Sequence, residues 1–297
     1  MRAAHRVILD TDLGSDVDDA MALSQLLGLP AVELVGVTTV YGDTLLRARM
    51  SRRIVELAGR DVPVYAGRAE TRSGREIWWA GHEGALHEDL EGERVEPGDA
   101  VDFLVAQVVG NPGEIDVVAI GPLTNIAAAI EADERFAGAV RHLWIMGGSF
   151  TDDEPEHNLR SDSAAAELVF AAGIPTTVTG LEVTRRVEIR RDQLDRIGAA
   201  GPLGGVIVAE IEQWWRYWNV EWNVPHDPVT VLTLTEPGLF ELSEPGTVTI
   251  ERDGEGEGRS VFTPGGGATR VVRELDAEAV AEHIVTAIVA AGSRVVA

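Results

Sequence analysis

The chain has 297 residues, 45% hydrophobic and 25% charged, enough to bury a large core in one or two domains. Its formal charge of −24 argues against nucleic-acid polymers as partners, because phosphate repels such a surface. Cysteine and lysine are both absent, which removes disulfides, thiol nucleophiles, Schiff-base chemistry and the lysine of a phosphate-binding P-loop.

No run of 18 apolar residues exists, so no membrane span is predicted. The N-terminus lacks an apolar segment followed by a small-residue cleavage site, so no signal peptide is expected and a cytoplasmic location fits. No linker, low-complexity tract or fixed-period repeat interrupts the chain. Residues 1–297 are therefore read as a single domain.

In chain order, residues 7–9 read as a short buried strand and 20–27 as a helix packed on it, with Gly14 and Ser15 marking the turn between. Residues 31–39 read as a second buried strand, closed by Tyr41, Gly42 and Asp43, and 44–58 as a helix. A short strand over 62–65 precedes a long polar loop, 67–98, which carries Trp78, Trp79 and His82. Loops of that length inside compact α/β proteins are more often functional than decorative. A helix is predicted over 99–109, a strand over 115–120, and a helix over 126–131 after Thr124 and Asn125. The strand at 142–146 ends in Gly147 and Gly148, and a charged loop over 151–162 contains Glu156, His157 and Asn158. A helix over 163–172 and a strand over 176–180 follow, then polar turns, a helix over 206–222, and a helical segment over 229–234 opened by His226 and Asp227. Residues 247–252 and 259–263 form a predicted hairpin, and 276–291 a closing helix with Asp276 as N-cap. This alternation predicts an α/β fold. Its expected form is a mostly parallel, doubly wound open sheet with a small antiparallel hairpin near the C-terminus.

The first loop is the most informative stretch. Asp10, Asp12, Asp16, Asp18 and Asp19 place five carboxylates within ten positions. Such charges persist only if solvated, protonated or neutralised. Helix capping accounts for Asp16, Asp18 or Asp19, but not for Asp10 and Asp12 at a buried strand end. A hard-cation site with oxygen ligands, Ca²⁺ or Mg²⁺, accounts for all of them. The spacing is not that of an EF-hand, which needs Gly and Glu where Ser15 and Met21 stand. Polar clusters recur after the other apolar runs, at Asp43, Thr124–Asn125 and Gly147–Gly148. In a parallel sheet such strand ends converge on one crevice. Taken singly, Thr124 and Asn125 could cap a helix, His226 and Asp227 could start one, and Glu156–Asn158 could be a solvated loop. Ile211, Trp215, Trp218 and Trp222 follow helical spacing, and Trp214 also pairs with Trp218; these read either as a core stripe or, with Trp78 or Trp79, as rings that stack on a planar ligand.

Together these residues resemble the inosine–uridine-type nucleoside hydrolases. The N-terminal aspartate signature is followed, in the same order, by blocks at residues 37–42, 81–82, 121–125, 146–148, 156–158 and 226–228. The resemblance implies a ribonucleoside N-glycosidase fold and Ca²⁺-dependent release of free base and ribose. In that reading Asp12, Asp19, the Thr124 carbonyl and Asp227 match the metal ligands. Asp12 also matches the general base on a metal-bound water, with Asp10 beside it. Asp18, Glu156 and Asn158 match groups that bind the ribose hydroxyls, Met146 lies beneath the sugar, and His82 lies near the base. His226 matches a group that helps the base depart, and a histidine that titrates near neutral pH could protonate it. A homodimer or homotetramer and a small ribonucleoside are the implied partners.

The sequence departs from the family pattern in places. Leu13 stands for a proline, and Ser15-Asp16-Val17 lengthen the loop by two residues, so Asp16 could take a metal or ribose role. Asp43 stands where Asn is common and could contact ribose, and His157 stands for a common Phe. Two other readings compete: a non-catalytic nucleoside or sugar binder, and a Mg²⁺-dependent haloacid-dehalogenase-like phosphatase using Asp10 and Asp12.

Overall fold

The computed structural model describes residues 5–293. The single-domain reading of 1–297 includes residues 1–4 and 294–297, which lie outside the described residues. Ten strands form one sheet. They are β1 (His5–Thr11), β2 (Val32–Thr39), β3 (Val64–Ala66), β4 (Ile115–Ala119), β5 (His142–Met146), β6 (Thr176–Thr179), β7 (Phe240–Leu242), β8 (Gly246–Ile250), β9 (Ser260–Pro264) and β10 (Thr269–Leu275). Their order is β3-β2-β1-β4-β5-β6-β10-β8-β9, with β7 paired to β10. Neighbours from β3 to β10 in that order pair in parallel, while β7 and β8 pair antiparallel with β10, and β9 with β8. The doubly wound sheet and its C-terminal hairpin thus match the pattern of alternating strands and helices.

Both faces of the sheet are covered. Val7 and Leu9 on β1 pack into one apolar cluster, and Ile8 between them packs into the other. This is why β1 reads as a continuous apolar run instead of an alternating one. Each such side chain contributes roughly 1.5–3 kcal/mol on burial. The chain leaves β1 toward β2 on one side and returns as β4 on the other, so the order reverses between them. A crevice opens at the carboxyl ends of strands where the order reverses. Asp10 and Thr11 end β1, and Gly121–Thr124 follow β4, so both flank that crevice.

The helix Asp18–Gly28 follows β1 and is buried along its whole length. It packs against the helices Thr44–Leu57, His226–Thr235 and Ala277–Ser293. At Gly28 a Cβ would lie 1.9 Å from the Ala287 carbonyl oxygen, so two helix backbones touch there.

Several elements differ from the sequence reading. The strands β7 and β10 were not anticipated, because Arg270, Arg273 and Glu274 break the apolar run of β10. The polar stretch before the tryptophans contains the helix Arg191–Gly198, and the charged loop contains the single-turn helix His157–Ser161. The tryptophan helix spans Gly201–Trp218 and stops where Asn219 turns left-handed at φ 55°. Trp222 therefore lies beyond it. Among the described residues no helix is long and apolar enough to cross a membrane.

Candidate active site

The loop after β1 is built around one buried cation. Arg47, in the first turns of Thr44–Leu57, has no exposed surface. Its Nε donates to the Tyr41 carbonyl at 2.7 Å, and one terminal nitrogen donates to the carbonyls of Leu13, at 2.9 Å, and Asp12. Its other terminal nitrogen is 3.4 Å from Ser15 Oγ, and the guanidinium lies 4.8 Å over the Trp79 ring. A second tie comes from the long loop. His82 Nε2 donates to the Ser15 carbonyl at 2.9 Å, and Ser15 Oγ donates to Glu83 at 2.8 Å. Gly14 permits the turn between these ties with φ at 125°.

Carboxylates crowd beneath. Oxygens of Asp18, Asp19 and Asp227, one from each, lie within 4.8 Å of one another, and all three side chains are buried. Thr11 Oγ1 donates to Asp19, and the Asp227 backbone N–H donates to Asp18 at 3.2 Å. Burial first, then repulsion by neighbouring carboxylates, chiefly Asp16 on Asp18, Asp12 on Asp19 and Asp18 on Asp227, holds Asp18, Asp19 and Asp227 well above the usual carboxylate range. Burial also raises Asp12, against the opposing charges of Arg47 and then His157. Asp16 is pushed up to about 7 by burial, with Asp19 and Asp12 adding to it. Like-charged oxygens this close and this dry suit a hard cation, which would return each of them to the ionised form. The donor set is all oxygen, as Ca²⁺ or Mg²⁺ requires.

Asp10 stands just behind. Its Oδ1 accepts from Thr38 at 2.5 Å and Asn125 at 2.7 Å, its Oδ2 has no partner, and burial pushes it up to about 7. It supports the loop from inside the sheet and does not line the cavity.

Above the carboxylates opens a cavity of about 450 Å³. Asp12, Asp16, Asp18, Asp19, Met146, Glu156, Asn158, Trp218, His226 and Asp227 line it. The sequence reading named each of these. Glu156 is buried; its carboxylate accepts from the backbone of Asn158 (2.8 Å), Leu159 (3.0 Å) and Gly148 (3.1 Å), and burial raises it. Asn158 donates to the Ile120 carbonyl at 2.8 Å. His226 Nδ1 meets Thr184 Oγ1 at 2.7 Å.

Other expected residues lie elsewhere. Asp43 is exposed and caps the helix Thr44–Leu57 by accepting from Leu46 N–H at 3.0 Å. Thr124 starts a helix and donates its hydroxyl to Asp162 at 2.7 Å, and its side chain does not reach the cavity. The close carboxylate trio includes Asp18, which the family resemblance gave to ribose, and not Asp12, which it gave to the metal. His82 holds the loop instead of lining the main cavity. Trp79 stacks on Arg47, and Trp215 is a core residue, 5% exposed, under Arg191. The supposed tryptophan stripe is therefore split: Ile211 and Trp215 face the core, and Trp218 is 56% exposed at the cavity. His226 also differs. Burial, then the Arg185 charge, pushes it down to about 4, so it is a neutral imidazole at neutral pH.

The sequence reading paired Trp214 with Trp218 but passed over Tyr217, Arg160 and Arg185; all four line the cavity. Trp214 and Tyr217 stack at 5.5 Å with planes 7° apart, a spacing of three on one helix that could have been seen. Trp78, proposed only as an option, and His157 line it too, with rings 5.6 Å apart edge-on.

Comparison with known proteins identifies the family. The family model described as inosine-uridine preferring nucleoside hydrolase matches residues 7–282. A probable uridine nucleosidase 2 of Oryza sativa subsp. japonica is 33% identical over 282 residues, covering 88% of this chain and 82% of that protein. The solved plant nucleoside hydrolase PpNRh1 is 29% identical, with a TM-score of 0.86 over 96% of this chain and 99% of that one. A purine-preferring ribonucleoside hydrolase from Gardnerella vaginalis shares the fold, with 24% identity and a TM-score of 0.87 over 97% of this chain and 99% of that one. A match over nearly the whole chain leaves no place for the phosphatase reading of Asp10 and Asp12. With its aspartate loop, its doubly wound sheet and this match, the chain belongs to the inosine-uridine preferring nucleoside hydrolase family.

Proposed function

We propose that the protein hydrolyses the N-glycosidic bond of ribonucleosides in a Ca²⁺-dependent reaction, releasing free base and ribose. The observation that carries this reading is the buried trio Asp18, Asp19 and Asp227 beneath a cavity that also holds Asp12, Glu156, Asn158 and His226. Asp12, Asp18, Asp19 and Asp227, with the Thr124 carbonyl, are the groups that would hold the ion. When bound, it lowers the pKa of a coordinated water and orients the sugar diol.

The rest falls to the chain's own residues. Asp12 takes the proton of the attacking water. Glu156, Asn158 and Asp18 bind the ribose hydroxyls and hold the sugar over Met146. Departure of the base develops oxocarbenium character in the sugar, which the buried carboxylates favour. Neutral His226, set by Thr184, faces the leaving base as a hydrogen-bond donor. Trp214, Tyr217 and Trp218 offer flat apolar surface to the base. Direct attack by water inverts the anomeric carbon. We propose a homodimer or homotetramer in the cytoplasm as the working form.

The test is release of base and ribose from a panel of purine and pyrimidine ribonucleosides. Uridine comes first, given the name of the rice relative. Each is run with Ca²⁺, with a chelator, and with Asp12→Ala. Release that needs both the ion and Asp12 is expected. No release from any nucleoside, with Ca²⁺ shown to be bound, overturns the reading and favours a binding-only role.

A further inference from the structure

The single-turn helix His157–Ser161 has two unlike sides. Asn158 and Leu159 are buried, while His157 and Arg160, three positions apart, are exposed and both line the cavity. Residues three apart share a helix face. The cavity therefore has a basic rim directly outside Glu156 and Asn158.

Arg160, like Arg216, differs from most exposed arginines of this protein. The chain has 49 acidic against 25 basic residues, and many exposed arginines are taken up by carboxylates. Arg72 pairs with Glu131, Arg196 with Glu282 and Arg252 with Glu167. Arg185, on the same rim, is held by Glu154 at 2.7 and 2.9 Å. Among the described residues the Arg160 guanidinium has no ion pair and no hydrogen bond, while its backbone N–H donates to the Glu156 carbonyl at 2.9 Å. Its backbone is fixed from behind, since a Cβ at Gly258 would lie 2.3 Å from the Arg160 Cα. A guanidinium that stays unpaired amid excess carboxylate, on a braced turn at a cavity rim, is available to an anion from solvent.

The position says which part of a substrate would bring that anion. Trp214, Tyr217, Trp218 and His226, proposed above to face the base, line the same cavity. In the reading above Glu156 and Asn158 hold the ribose hydroxyls, and His157 and Arg160 stand on the same turn and line the same cavity, so the sugar lies beside them. We propose that Arg160 and His157 form a subsite for an anionic group on C5′, so that nucleoside 5′-monophosphates are substrates. This rests on the hydrolase reading above. Arginine suits the role because its planar fork matches phosphate oxygens two at a time. The reaction breaks the C1′–N bond and joins the water oxygen to C1′. One water proton passes to Asp12 and from there to solvent, solvent returns a proton to the base nitrogen, and the products are free base and ribose 5-phosphate. The phosphoester bond is untouched.

Two measurements test it. Base release is compared for uridine and inosine against their 5′-monophosphates, in the Ca²⁺-loaded wild type, Arg160→Gln and His157→Phe. Binding of ribose 5-phosphate and of ribose is measured by calorimetry on the wild type and Arg160→Gln. The wild type should bind ribose 5-phosphate at least tenfold more tightly than ribose, and Arg160→Gln should remove most of that difference. The ratio of kcat/KM for monophosphate over nucleoside should fall at least tenfold in Arg160→Gln, and in the same direction in His157→Phe. Turnover of nucleosides but not of monophosphates, with equal binding of the two sugars, overturns the subsite and spares the hydrolase reading. Base release from neither series, beside ribose 5-phosphate binding that Arg160→Gln abolishes, upholds the subsite and overturns the reaction.

Discussion

Arg47→Met is the sharpest probe of how the aspartate loop is held. The substitution keeps a long apolar stem and removes the guanidinium. The carbonyls of Tyr41, Asp12 and Leu13 then lose their donor in a fully buried place. An unsatisfied buried acceptor costs about 1–3 kcal/mol. Removing one partner of a buried ionic arrangement costs about 3–5 kcal/mol in total. Three such acceptors come to about 3–9 kcal/mol, which contains the second range, so a loss of about 3–5 kcal/mol is expected, against the roughly 5–15 kcal/mol that keeps a domain folded. Urea unfolding gives the number, with and without saturating Ca²⁺. The comparison separates two roles. If the guanidinium only balances the carboxylates, Ca²⁺ should restore the variant to wild-type stability. If it holds the loop through the carbonyls, the deficit persists with Ca²⁺ bound. Arg47→Lys should recover less than half, because a point charge cannot serve three carbonyls as a fork does. A loss below about 1 kcal/mol in Arg47→Met, or full rescue by Ca²⁺, refutes the reasoning.

Other outcomes follow from the same structure. Ca²⁺ at about 100 times its Kd should stabilise the protein by roughly 2.7 kcal/mol. With about 2.1 cal/mol/K of unfolding entropy per residue over 297 residues, this raises Tm by about 4 °C. Melting with and without a chelator reads it, and Asp227→Asn should abolish most of the shift. Trp215→Ala should cost about 3–5 kcal/mol in chemical denaturation, because the ring is core. Trp218→Ala should cost under about 1 kcal/mol, since it removes an exposed ring, and should raise KM. Equal stability losses in the two would contradict the split helix face. His142 gives a pH test. Burial, partly offset by Asp116, lowers its pKa to about 4, so between about 6.5 and 4 the unfolded chain binds a proton that the folded chain does not. Stability should therefore fall as pH drops through that window, by at most about 3 kcal/mol from this residue. Denaturation of His142→Gln at pH 7 and pH 4.5 should show a shallower fall than the wild type.

What was legible in the sequence was what local pattern can carry. The run from Val7 to Leu27 announces strand, turn and helix, and the apolar runs that follow announce a parallel sheet. Most of the cavity carboxylates were legible because Asp12, Asp16, Asp18 and Asp19 cluster along the chain. Contacts between distant segments were not. Arg47 sits in the stretch Arg47-Ala-Arg49-Met-Ser-Arg52-Arg53, which reads as a solvated basic face, and only the fold turns one of these arginines inward. The helix His157–Ser161 is a single turn, too short for any periodicity to show. Asp43 had two readings, strand-end ligand and helix cap, and the helix took it. The tryptophans misled because spacing alone does not say where a helix stops, and Asn219 stops this one before Trp222.

The contact between Gly28 and Ala287 has a consequence for synthesis on the ribosome. The helix bearing Asp18 and Asp19 emerges early, but one of its walls is the helix Ala277–Ser293. At about 5–20 residues per second, that wall follows roughly 15–50 s later. For that interval an apolar helix stands partly bare beside a cluster of aspartates that has yet to acquire its ion. A nascent chain truncated before Ala277 should therefore be sensitive to protease at the N-terminal loop and bind chaperones. The same loop should become resistant only once the helix 277–293 has cleared the exit tunnel. The order in which the parts are made is thus the reverse of the order in which the site can be completed.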